Sequence, residues 1–67
     1  MEYHEAIERD AKRLIRNLGK QLALDKVDDD RDKSTNTAYA FSGHPFGELY
    51  ARRAEYLRQL FNKISTL

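Results

Sequence analysis

The chain contains no cysteine and no tryptophan, a single proline and three glycines. Absence of cysteine rules out disulfides and thiolate metal sites together. Two histidines, His4 and His44, are too few for a histidine-based structural zinc site, so neither metal nor cofactor is expected. No apolar run exceeds a few residues, which excludes a membrane-spanning stretch. Charge of one sign is also missing. Twelve basic residues against eleven acidic ones give a formal charge of +1, so no global field draws the chain to nucleic acid. The opening MEYHEAIERD is acidic and has no hydrophobic h-region, so no secretory signal is expected and the cytoplasm is the expected compartment.

What is present fits one small helical domain over residues 1–67. With 34% charged and 40% hydrophobic residues the chain is too apolar for full disorder. A chain this short buries a modest share of its surface, and with disulfides and metal excluded, a partner chain is the remaining reinforcement. A homodimer is therefore expected.

In EYHEAIERDAKRLIRNLGKQL, apolar residues recur at Tyr3, Ile7, Ala11, Leu14, Ile15, Leu18 and Leu22. Steps of three and four place them on one helical stripe. Glu2, Glu5 and Glu8 complement the helix dipole at its start. Glu5 with Arg9, and Glu8 with Lys12, stand four apart in the favourable order. The spacing predicts a helix over about residues 2–26, with Gly19 as a candidate kink because Leu24 and Val27 fall off the stripe. A second helix is predicted over about 45–65. Pro45 suits its first position, where a missing N–H goes unnoticed. Phe46, Leu49, Tyr50, Ala54, Leu57, Leu60, Phe61 and Ile64 then form an apolar arc wider than one partner helix needs.

Between the two lies DDDRDKSTNTAYAFSGHPFG, read as a long, partly ordered connection. Its first half sets five aspartates from Asp25 to Asp32 against Lys26, Arg31 and Lys33 and reads as an acidic hinge to about Ser34. The second half, Thr35 to Phe46, reads as a docking segment in which TAYAF suits a brief strand.

Each candidate chemistry fails on a named residue. A calcium loop starting at Asp28 would put Lys33 where glycine belongs and Tyr39 where the bidentate glutamate belongs. Starting at Asp30 gives Thr35 and Phe41 instead. His4-Glu5-Ala6-Ile7-Glu8 lacks the second histidine of a zinc-protease helix. Ser34, Ser42 and Ser65 lie outside any nucleophile-elbow context, and Gly43 and Gly47 lack the lysine and serine of a phosphate loop. His44 before a proline reads as a turn or cap residue. No enzyme is expected.

Two other features carry more. Arg9, Arg13, Arg16 and Lys20 form a basic stripe nearly opposite Ile7, Ala11, Leu14 and Leu18, a candidate for phosphate contact if it is not simply solvated and paired. Arg53 falls in the middle of the second helix's apolar arc, where it must pair (Asp10 and Glu8 are the candidates), stack or project. The expectation is an all-α antiparallel two-helix hairpin that dimerises into a four-helix bundle. Its expected role is that of a small non-enzymatic regulator, inhibitor or assembly adaptor that touches another protein through Tyr39, Phe41, Phe46, Arg53 and Tyr56. The alternative is a dimeric nucleic-acid binder using Arg9, Arg13, Arg16 and Lys20.

Overall fold

The computed structural model describes residues 4 to 67, with side chains from Glu5 onward. Glu2 and Tyr3, at the expected start of the first helix, lie outside the described residues, as does the His4 side chain. Among the described residues three α-helices follow in order: α1 (His4–Leu18), α2 (Lys20–Ala40) and α3 (Pro45–Thr66). The chain is all-α as expected, but its division into two helices is not observed.

The first correction is at Gly19. Its φ of 83° and ψ of 158° lie where a side chain would clash with the backbone, so only glycine settles there readily. The expected helix over 2–26 therefore stops at Leu18, and α2 restarts in a new phase. Leu22 turns out to solvent (60% exposed), whereas Val27 becomes buried. Both belong to α2: Leu22 keeps only the register expected of the first helix, and Val27 follows the register of α2 itself.

The second correction is larger. The expected connection is mostly helix, and the acidic hinge and the docking segment to Ala40 both belong to α2. TAYAF makes no strand, since its first four residues close α2. The true connection is only residues 41–44. α2 needs no broad apolar stripe because its buried seam is built from small side chains, Ala23, Val27 and Ser34. Ala38, one helical turn further on, shares a cleft with Thr35 and with Ala51 and Ala54 of α3. Small residues let two helix backbones approach closely, so contact replaces bulk. The aspartates pair along the helix: Asp28 with Arg31 at 2.7 Å, Asp29 with Lys33 at 3.0 Å, and Asp30 with Lys26 at 4.0 Å. Pairs three and four apart on one helix face add modestly to its stability. Arg31 also lies 5.8 Å from the centre of the Phe61 ring and so ties α2 to α3.

α2 and α3 form an antiparallel hairpin, and α1 closes the half of it away from the turn. Ile7 and Ala11 of α1 join Ala23, Val27, Leu57, Leu60 and Ile64 in one core, flanked by Leu14, Ile15, Leu24, Tyr56 and Phe61. A polar tie fixes α1 against α3: the Tyr56 hydroxyl donates to Asp10, which also accepts from Arg13 at 2.7 Å. The Tyr56 hydrogen bond, more than the arginines, lowers the Asp10 carboxyl below its usual range. Burial first, and then the Asp10 bond, push the Tyr56 phenol up to about 12.

A Cβ on Gly47 would collide with the Phe41 carbonyl and lie 3.2 Å from the Ala38 carbonyl oxygen. Gly47→Ala gains about 1 kcal/mol of helix propensity, but overpacking against rigid backbone costs about 1–3 kcal/mol, so a net loss is expected in urea melts. An equal or higher melting midpoint would contradict the close approach. The Asp10–Tyr56 tie predicts a second, pH-dependent loss. Asp10 is depressed in the fold, so its contribution is present above about pH 4 and fades as pH falls through the folded value. Tyr56 is raised, so its contribution is complete below about pH 10 and is lost as pH climbs towards 12. Tyr56→Phe should cost about 1 kcal/mol near neutrality, a value discounted for partial exposure. It should also flatten stability between pH 10 and 12, read by thermal melts at 222 nm.

Candidate functional site

The turn between α2 and α3 is built to start a helix. Gly43 takes a φ of 85°, which turns the chain sharply. His44 then caps α3: its Nδ1 accepts from the Phe46 backbone N–H at 3.2 Å, and Pro45 follows as the first helical residue. The ring also stacks on Phe46, with centroids 5.1 Å apart and planes 19° apart. Phe41 meets Phe46 edge-on at 6.3 Å. The result is a three-ring cluster at the hairpin tip, held by a cap and a glycine.

From that cluster an apolar face runs along α3. Phe46, Leu49, Tyr50 and Arg53 line an open groove of about 550 Å³. At about 100° per residue these four positions share one stripe with Leu57, Leu60 and Ile64. The two halves of the stripe differ only in cover. Leu57, Leu60 and Ile64 are at most 5% exposed in the core they share with α1 and α2, whereas Phe46, Leu49 and Tyr50 are 54%, 57% and 39% exposed. Phe41, 45% exposed, widens the open half at the tip.

Arg53 sits in the middle of this open stripe. It pairs with neither Asp10 nor Glu8, the two carboxylates expected for it. Asp10 is held by Tyr56 and Arg13, and Glu8 meets Lys12 at 3.4 Å. Among the described residues no carboxylate lies within ion-pair reach of Arg53. The acids nearest in sequence are also engaged: Glu48 with Arg52 at 2.8 Å, and Glu55 with Arg58 at 2.6 Å. The Arg58 and Gln59 hydrogen bonds hold the Glu55 carboxyl at about 2. Arg53 therefore remains an exposed guanidinium among apolar side chains.

The other candidate residues scatter. Tyr39 is 86% exposed at the end of α2 and makes no ring contact with the cluster among the described residues. Tyr56 turns inward to Asp10. On the basic stripe, Arg9 and Arg13 both face Asp10, at 3.6 and 2.7 Å, and Arg16 is exposed in the last turn of α1. Lys20 lies beyond the Gly19 break, as the first residue of α2, so the stripe does not continue along one helix. Asp28, Asp30 and Asp32 are helical, so they cannot wrap a calcium ion as a loop does. Among the described residues no three acidic or histidine side chains are grouped to hold a metal. No described helix is long and apolar enough to cross a membrane.

Phe41, Phe46 and Arg53 are thus brought together at one surface, and Leu49 and Tyr50 join them. The signal for those two was in the sequence: their steps of three and four share the register of Leu57, Leu60 and Ile64. No protein-family model matches this chain, and comparisons with curated proteins and with solved structures return no similar protein.

Proposed function

We propose that this chain is a non-enzymatic interaction protein, of the regulator, inhibitor or adaptor kind, and that it acts through the open half of the α3 stripe. One observation carries the reading. The face that is sealed by α1 and α2 at Leu57, Leu60 and Ile64 continues uncovered through Phe46, Leu49 and Tyr50. Exposed apolar area of this kind, centred on aromatics and an arginine, has the composition of a binding hot spot. Self-association belongs to the same reading, because a chain with so small a core gains most from covering that face.

Binding to nucleic acid has weaker support. Two of its four cations are already neighbours of Asp10, and a third lies on another helix. The remaining charge is too sparse to follow a phosphate backbone.

Photo-cross-linking tests the proposal directly. A benzoylphenylalanine at position 46 should give discrete covalent adducts when the full chain is irradiated in cells. The same group at Asn17, exposed on α1, should not. No adduct from position 46, or identical bands from both positions, would contradict the reading.

A further inference from the structure

The partner that fits the open stripe can be read from the stripe itself. Resting on the interaction surface described above, we propose that its occupant is a second copy of this chain, paired antiparallel along the N-terminal half of α3. The positions that line the groove, 46, 49, 50 and 53, are symmetric about the point between Leu49 and Tyr50. A two-fold axis there sets Leu49 of each copy against Tyr50 of the other, and Phe46 against Arg53. Such an isologous contact requires a surface to be complementary to itself.

The residue types meet that requirement. Arg53 has no carboxylate partner among the described residues, and the acids near it are held by Arg52, Arg58, Tyr56 and Arg13. In the paired arrangement each guanidinium finds the face of a Phe46 ring, whose quadrupole attracts a cation. The His44 ring stacked on Phe46 and the edge contact from Phe41 hold that ring in place beforehand. A parallel pairing would instead bring Arg53 against Arg53 in the middle of the seam. The sign of the charge therefore selects the antiparallel arrangement.

Area sets the strength. Phe41, Phe46, Leu49 and Tyr50 are 45%, 54%, 57% and 39% exposed, which at about 200 Å² per large side chain leaves roughly 400 Å² per copy. Two copies bury about 800 Å², at the low end for specific association, so a Kd on the order of tens of micromolar is expected. The hairpins that meet contribute two helices each, which makes a four-helix arrangement with α1 of each copy outside the seam.

Sedimentation equilibrium of the purified full chain, from about 5 μM to 1 mM, tests this with two surface variants. The native mass should rise from 7.9 kDa towards twice that value. Leu49→Glu and Tyr50→Lys, each with its helix signal intact, should remain monomeric alone. Each introduced charge is then buried against the uncharged Tyr50 or Leu49 of the other copy, with a like charge beside it across the axis. An equimolar mixture should regain the dimer, since the two introduced charges then oppose one another. A native chain that stays monomeric at 1 mM overturns the second copy as occupant. Variants that dimerise like the native chain, or a mixture without rescue, overturn the antiparallel pairing. The interaction reading fails separately: cross-links from position 46 to another protein, with a monomeric native chain, would keep that reading and remove this one.

Discussion

The structure depends on a mismatch of lengths. α1 has 15 residues, or about 22 Å of helix, and α3 has 22, or about 33 Å. A continuous apolar stripe on α3 therefore faces a covering helix about two turns too short. α1 closes the stripe, together with Ala23 and Val27 of α2, over Leu57, Leu60 and Ile64. The rest of the stripe stays open. Buried core and candidate site are thus one surface, divided by how far α1 reaches along α3.

Close backbone approach makes the uncovered half usable. Gly47 lets the end of α2 pack directly against α3, with the Phe41 carbonyl over its Cα. That contact fixes the turn, which in turn aims Phe41 and Phe46 at one another. His44 completes the arrangement by capping α3 and stacking on Phe46. The site is therefore preorganised by the same contacts that form the hairpin. At the other end the Asp10–Tyr56 tie holds α1 in place and sets the limit of the open face.

α3 was fully legible in the sequence because its apolar arc is large-residued and begins at a proline. α1 was legible up to Leu18. α2 was not, and the reason is physical. Its seam is Ala23, Val27 and Ser34, residues whose small apolar area gives little periodic signal, while its outer face carries a run of aspartates that resembles a loop. The pairs four apart, Lys26 with Asp30 and Asp29 with Lys33, were the available clue. Of the candidate site, Phe41 and Phe46 are legible as aromatics in the segment leading into α3, and Arg53 from its place in the middle of the arc. Tyr56 lies at the edge of the same arc, so local spacing alone places it with them. Its tie to Asp10 spans 46 positions, which no local pattern reports. The basic stripe failed as one surface for the same reason α1 is short: Gly19 separates Lys20 from the others.

The central claim is that the α3 stripe is closed over its C-terminal half and open over its N-terminal half within a single chain. The chain has three phenylalanines, one in the half-buried core rim (Phe61) and two at the tip (Phe41 and Phe46). Fluorine NMR of the fluorophenylalanine-labelled protein, diluted to a few micromolar with a soluble gadolinium chelate present, reads each ring's access to solvent. The account predicts strong broadening at Phe41 and Phe46 and a protected Phe61. A Phe46 signal as protected as that of Phe61 in the dilute chain would contradict it.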